Sequence, residues 1–352
     1  MPLISTDQHG FMTKRSTSTN LLCLTDKIIS AFEDNCQLDV IYTDFSKVFD
    51  SIDFDIPMRK LRIIGFHVNL AQWLFSYLSN RTLYVYFNNV VSDAFSNTSG
   101  VPQGSNLGPL LFILFINDFC SEFSFSGCLL FADDLKFFRQ IRSSADVALL
   151  QNDLDNLYQW CIVNKLLLNV EKCSILSFTR KSQPIFHSYQ INDILLRRSK
   201  SVTDLGVTFD TSLDFTQHID NIVSKAYTKL GFIKRNTRHF SGVFALKVLF
   251  FTIVRSGLEY CCLVWDPYNK NKIKIIEQVQ TRFLRYLFYR TNHYYPQDVS
   301  SSHLCSIFGI HSLRVRRNLS CLLFYHKIIN DAIDCSDILT RITFSVPTSS
   351  LR

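Results

Sequence analysis

The sequence predicts an α+β protein: a first part mixing strands with helices, and a later part that is helical and basic. Three observations carry this. "QLDVIYTDF" (37–45) alternates in the manner of a strand, with Val40, Tyr42 and Asp44 on one face. "GCLLFADDLKFF" (127–138) holds two β-like runs that meet at a tight turn. From about 214 onward apolar residues recur at helical spacing, over 214–236, 241–257, 270–290 and 312–331.

In chain order, "STSTNLLCLTDKIISAFEDN" (16–35) places Leu21, Leu24, Ile28 and Phe32 on one helical face behind Ser/Thr caps. After the strand at 37–45, "DIPMRKLRIIGF" starts a helix near 56, with Asp as cap and Pro in the first turn. A further helix is expected over 68–79. "RTLYVYFNNVVSDAFSN" (81–97) reads as two strands joined at Asn88-Asn89, a pair that tolerates positive φ. The loop "SGVPQGSNLG" leads into an apolar helix at 109–119, the hairpin comes next, and a helix is expected at 144–163 and a strand at 173–178. The junction between the two parts falls near 200–213, giving domains of 1–209 and 210–352.

The chain has 352 residues, 47% hydrophobic and 19% charged, which excludes a disordered protein and allows roughly two domains. The net charge of +7 is unevenly spread. Residues 221–290 hold thirteen Lys/Arg against Glu259, Asp266 and Glu277, a local +10 that leaves about −3 for the rest. That segment suits a polyanion, or is a solvated helical surface. Eleven cysteines without a CxxC pair, and no His at zinc-finger spacing, argue for free thiols in a reducing compartment rather than disulfides or structural zinc. No signal-peptide pattern opens the chain, and "LLFILFI" (110–116) is far too short to span a bilayer. An intracellular, soluble protein without a membrane partner is expected, nucleus and cytoplasm being undistinguished.

Asp133 and Asp134 interrupt the apolar run "LLFADDLKFF" (129–138). Buried carboxylates need partners. At a hairpin turn both side chains can lean toward one point, where Asp44, at the end of its strand, supplies a third. Carboxylate oxygens are what Mg²⁺ prefers, and two such ions about 3.5–4 Å apart serve phosphoryl transfer. An Asp pair alone is a common surface turn; its context is "SGVPQGSNLGPLLF" (99–112). There Gly100, Gly104 and Gly108 let the backbone approach a ligand, and the Gln103 amide both donates and accepts.

The ordered set "DFSKVFD" (44–50), "SGVPQGSNLGP" (99–109) and "FADD" (131–134) closely resembles the reverse transcriptases of non-LTR retrotransposons, in particular the jockey-like group of LINE elements. "QHGF" (8–11) resembles a segment of that family's fingers, "LNVEKCSILSF" (168–178) a palm motif, and "LGVTFDTSLDFTQHI" (205–219) the approach to the thumb. "SGLEYCCLVWDP" and "IEQVQTRFLR" resemble the helical segment beyond, so the resemblance covers nearly the whole chain in order. It implies a right-hand polymerase fold: partial fingers, a palm on a small antiparallel sheet, and a basic helical thumb with a C-terminal extension.

It also implies roles. Asp44, Asp133 and Asp134 would be the catalytic, metal-binding carboxylates, holding two Mg²⁺ ions, with Mn²⁺ a substitute. Phe49 stands at the position of the steric gate, where an aromatic ring under the sugar leaves no room for a 2′-hydroxyl; a core Phe is the alternative. Phe45, Gln103 and Gly104 would line the nascent base pair, and Lys172 would approach the triphosphate or be a surface lysine. Lys225, Lys229, Lys234, Arg235 and Arg238 would track a phosphate backbone, the pairs 225/229 and 234/238 each sharing a helical face. The implied partners are an RNA template, a DNA primer and deoxynucleoside triphosphates.

Val48 replaces the usual Ala, and Asn106 the usual aliphatic residue, of that family. Only seven residues precede "QHGF", and no endonuclease region or Cys/His knuckle is seen, so an N-terminally truncated element copy, or a gene derived from one, is expected. Three functions stand as alternatives: an RNA-directed DNA polymerase, a non-catalytic nucleic-acid-binding remnant, and a metal-dependent nuclease, which leaves Phe49 and the glycine loop unexplained.

Overall fold

The computed structural model describes residues 3–240 and 242–343. They divide into two units. One comprises Lys27–Lys200 with the segment up to Asn20; the other runs from Ser201 and includes Leu21–Asp26.

Helix α1 (Thr17–Glu33) opens on a capping box in which Ser16 and Thr19 satisfy each other's backbone amides. Strand β1 (Gln37–Thr43) follows, then α2 (Asp55–Ile64) and α3 (Val68–Leu78). The region expected to hold two strands holds four short ones: β2 (Arg81–Leu83), β3 (Tyr86–Phe87), β4 (Val90–Val91) and β5 (Phe95–Asn97). They form two nested pairs, β2 with β5 and β3 with β4. Helix α4 (Leu107–Ile116) is apolar on every side and correspondingly buried, and it tightens into a 3₁₀ turn over Asn117–Glu122. Strands β6 (Gly127–Phe131) and β7 (Asp134–Ile141) form the expected hairpin. Then come α5 (Ser144–Val163), β8 (Ser174–Phe178) and three two-residue strands: β9 (Gln190–Ile191), β10 (Ile194–Leu195) and β11 (Arg197–Arg198).

The main sheet has the order β11-β8-β1-β7-β6, antiparallel except where β11 runs beside β8. β1 therefore has a neighbour on each side, and six of its seven residues are buried. The alternation read in its sequence is not a solvent face but a buried polar one. Asp39, fully enclosed, accepts from Gln37 Nε2 (2.7 Å) and from the Tyr189 hydroxyl (3.0 Å). Beneath the sheet Ile41, Phe137 and Ile175 join Phe112, Phe115, Leu150 and Leu154 of α4 and α5 in one core cluster.

The second unit opens with a hairpin, β12 (Ser201–Asp204) and β13 (Val207–Asp210), whose strands pair only with each other. The hairpin thus belongs to the same compact unit as the helices that follow it, from Ser201 onward. Helix α6 (Thr216–Asn236) comes next. The helix expected at 241–257 runs as α7 (Val243–Leu249), a π-helical turn (Phe250–Arg255) and α8 (Ser256–Glu259). Short α9 (Cys262–Trp265) precedes α10 (Lys270–Asn292), α11 (Ser301–Phe308), α12 (Leu313–Ile329) and α13 (Ser336–Leu339). Phe250 stacks on Phe283 at 4.0 Å, nearly parallel, in this unit's core. Among the described residues no helix is long and apolar enough to cross a membrane.

Candidate active site

The register brings the carboxylate-bearing positions together. Thr43 of β1 pairs with Leu135 of β7, so one step further Asp44 comes opposite Asp134, with Asp133 in the turn beside it. Asp133 is half-buried and Asp134 exposed. Burial, with the nearby negative charge of Asp44, holds the Asp133 carboxyl above the usual carboxylate range. Asp44 keeps one buried oxygen, Oδ2, without a hydrogen bond. Lys172 Nζ lies 3.2 Å from that oxygen in an ion pair that lacks hydrogen-bond geometry.

Lys172 is placed there by local backbone pairing. Asn169 N donates to Asp44 O (2.8 Å), Phe45 bridges to Leu168, and Lys172 N closes a turn on Asn169 O. The lysine expected to face a triphosphate is thus seated on the first carboxylate. Phe45 meets Phe119 edge-on at 6.4 Å. Phe49 is half-buried with its ring 4.4 Å from Phe112, so it joins the margin of the core while keeping an open edge.

The glycine loop docks on the 49–50 turn. Gly100 N donates to Ile52 O and Val101 N to Phe49 O, both at 2.8 Å. Gly100 takes φ +82°, and a Cβ there would meet the Asp50 backbone at 2.7 Å, so only glycine allows the approach. Gln103 is exposed and its Nε2 donates to Asp50 Oδ1 (2.7 Å), which ties "PQG" to "VFD". Gly104, with φ +80°, has open space around it.

One element of the site was not assigned a role from sequence. "QHGF" lies along β6, on the carboxylate hairpin itself: Leu130 N donates to Asp7 O and His9 N to Leu130 O. Gln8, buried, accepts at Oε1 from Gly10 N (2.7 Å) and from Ala132 N (3.0 Å). Both neighbours are N–H donors, which fixes which way the amide faces. Gly10 sits so close that a Cβ would come within 2.2 Å of Ala132 N.

The basic residues belong to the second unit. Lys225, Lys229 and Arg235 are exposed on α6. Lys234 is half-buried with its ammonium 5.3 Å from the Tyr286 ring centroid; burial and then Arg282 lower its pKa. Arg238 lies beyond the helix, which is capped by Thr237, so the expected 234/238 pairing on one helical face does not form. The reason is local: the Thr237 hydroxyl turns back onto Ile233 O and ends the helix.

The residues present fit divalent cations. An oxygen of Asp44 without a hydrogen bond and a carboxyl on Asp133 whose charged form is disfavoured are the donor set a hard cation stabilises. The three carboxylates are not all within 4.8 Å of one another, a spacing wider than a single ion's ligand set. A cleft of about 900 Å³ lies elsewhere, lined by Asp53, Arg59, Arg62, Gln72 and Lys165 among others.

A family model described as "Reverse transcriptase (RNA-dependent DNA polymerase)" matches residues 1–209, more than half of the chain. The probable RNA-directed DNA polymerase from transposon BS of Drosophila melanogaster is 26% identical over 289 residues, 79% of this chain and 32% of that protein. The RNA-directed DNA polymerase from mobile element jockey of the same species is 28% identical over 231 residues, 63% of this chain and 25% of that protein. The chain thus spans about a third of the length of the curated relatives it matches. Among solved structures, apo telomerase from Candida tropicalis is similar with a TM-score of 0.45 and 11% identity, covering 82% of this chain and 46% of that one. The chain belongs to the reverse transcriptase family.

Proposed function

We propose that this chain is the RNA-directed DNA polymerase of a mobile element, extending a primer by phosphoryl transfer from a deoxynucleoside triphosphate. The observation that carries this is the placing of Asp44 beside Asp133, where two buried-facing carboxylates share a negative field. Asp44, Asp133 and Asp134 would hold the divalent cations, Mg²⁺ or Mn²⁺. When bound, two such cations activate the primer 3′-hydroxyl and stabilise the leaving pyrophosphate oxygen. Lys172, the ion-pair partner of Asp44, is the lysine that would meet the triphosphate. Phe49, braced by Phe112, restricts the space under the sugar. Gln103, held by Asp50, and Gly104 border the nascent pair. Helix α6 belongs to the thumb and offers Lys225, Lys229 and Arg235 to the duplex backbone.

The test is primer extension on an RNA template with and without Mg²⁺. Asp133→Asn keeps the side chain's volume but removes a charged ligand, and it should abolish extension while leaving the fold intact. Extension by the variant at a comparable rate would remove the carboxylate from the mechanism. Replacing Lys225, Lys229 and Arg235 by Ala should weaken binding of unrelated duplexes alike, and flatten the log–log salt slope by about 2–3. Salt-dependent binding without any extension would leave the chain a nucleic-acid binder.

A further inference from the structure

Away from the carboxylates, the fold gathers three side chains that the sequence keeps far apart. Asp7 lies on the segment paired with β6, Cys128 within β6, and Cys120 in the 3₁₀ turn after α4. Their ligand atoms, one carboxylate oxygen and two Sγ, all lie within 4.8 Å of one another. Among the described residues no other group of three His, Cys, Asp or Glu does so. We propose that Asp7, Cys120 and Cys128 form a binding site for a thiophilic divalent cation, Zn²⁺ by its chemistry, separate from the polymerase carboxylates.

The donor set selects the ion. Two thiolates and a carboxylate suit a borderline-soft tetrahedral cation, whereas Mg²⁺ takes oxygen ligands. Tetrahedral zinc at ordinary bond lengths sets such ligands about 3.5–3.8 Å apart, so the observed group closes onto it by small side-chain adjustments. The supports are rigid: Leu130 N–H to Asp7 O fixes the carboxylate-bearing segment on the strand that carries Cys128. Ser5 supplies an outer contact, its hydroxyl donating to Asp7 Oδ2 at 3.2 Å and accepting from Asp7 N at 3.2 Å. On binding, both thiol protons leave to solvent. The ion then bonds two sulfurs, one oxygen and a water, and the centre carries a net charge of −1. Its effect is mechanical: it fastens the segment that bears Gln8 to the strand that ends at the Asp133 turn.

The site can be tested without any polymerase assay. Reduced, metal-stripped protein is titrated with Co²⁺ alone in excess Mg²⁺. One equivalent should give a thiolate-to-cobalt charge-transfer band together with the visible bands of a tetrahedral centre. Cys120→Ser and Cys128→Ser should each abolish the charge-transfer band, and Asp7→Asn should weaken binding about tenfold. A second measurement needs no variant: Zn²⁺ should slow alkylation of Cys120 about tenfold, mapped by mass spectrometry, while the half-exposed Cys305 and Cys321 react unchanged. Absence of the band, its persistence in both serine variants, or protection spread equally over Cys120, Cys305 and Cys321 would each overturn the site.

Discussion

Two hairpins of the first unit turn in two residues, and they turn for opposite reasons. Between β3 and β4 the tip is Asn88-Asn89, with φ +47° and +62°. Asparagine tolerates that conformation, so the turn is written in its own residues. Between β6 and β7 the tip is Ala132-Asp133, and Ala132 takes φ +55°. Nothing in alanine favours this; the left-handed region costs an L-residue about 1–2 kcal/mol. The carboxylate turn is instead held from outside, by Gln8 accepting from Ala132 N and by Gly10 packed against it. The first hairpin is exposed, Phe87 being 72% and Val90 68% accessible, while Leu130, Leu135 and Phe137 of the second are buried. The turn that carries the paired carboxylates is thus held by tertiary contacts that set its position, whereas the Asn88-Asn89 turn relies on local preference.

The contrast breaks most sharply at Gly10. A Cβ there would stand 2.2 Å from a backbone nitrogen, which no rotamer relieves. Gly10→Ala should lower stability by about 3 kcal/mol, read by denaturant unfolding, and primer extension should fall with it. A fully stable variant would show that the segment is not clamped on the turn. Gln8→Leu is milder. It removes the shared acceptor of two buried amides, Gly10 N and Ala132 N, but unlike the Gly10 change it forces no atoms into overlap, and each amide then loses about 1 kcal/mol or more. Because the turn rather than the core is loosened, the apparent Mg²⁺ requirement for extension should rise more than the unfolding midpoint falls. Unchanged metal dependence would reduce Gln8 to a packing residue.

Much of this was legible from sequence, and the illegible part has a physical pattern. Helix α5 runs over the expected 144–163, and β1 and the β6–β7 hairpin stand where their periodicity put them. The approach of Asp44 to the Asp133 turn was expected from the strand and hairpin pattern, and the register of β1 on β7 makes it. What spacing cannot carry is the tie from Gln8 to Ala132, which closes over 124 residues, or the meeting of Asp7 with Cys120 and Cys128. The absence of a CxxC pair said nothing about cysteines that strands and turns bring together. Strands β9, β10 and β11 are two residues each, too short to show a period. The π-helical turn at Phe250–Arg255 keeps an apolar pattern indistinguishable from a continuous helix.

The locally encoded hairpin offers the matching control. Asn89→Ala removes a residue suited to positive φ together with its bond to the Tyr86 hydroxyl (2.7 Å). The expected loss is about 1 kcal/mol, and it should stay local. Amide exchange should quicken over residues 84–93 while the global unfolding midpoint holds. A fall in the global midpoint as large as that of Gln8→Leu would mean that both hairpins belong to one cooperative unit, and that the two turns do not differ in kind.

The smallest effect is a slope, and it belongs to the carboxylate turn alone. Asp133 has its pKa raised in the folded protein, first by burial and then by the charge of Asp44. Between its unfolded value near 3.8 and its higher folded value, the native state binds more protons than the unfolded chain. The contribution of this group to stability is therefore complete below the unfolded pKa and is lost as pH rises through the folded one. Asp133→Asn removes it. The stability of wild type minus that of the variant, followed by urea unfolding from pH 3 upward, should fall with rising pH across that window and then level off. Asn89→Ala, at a tip whose two residues carry no titrating group, should leave the wild-type slope unchanged. A difference curve for Asp133→Asn that rises with pH would mean that a cation partner outweighs burial and repulsion at this carboxylate. The turn would then be held by its charges and not by the residues clamped behind it.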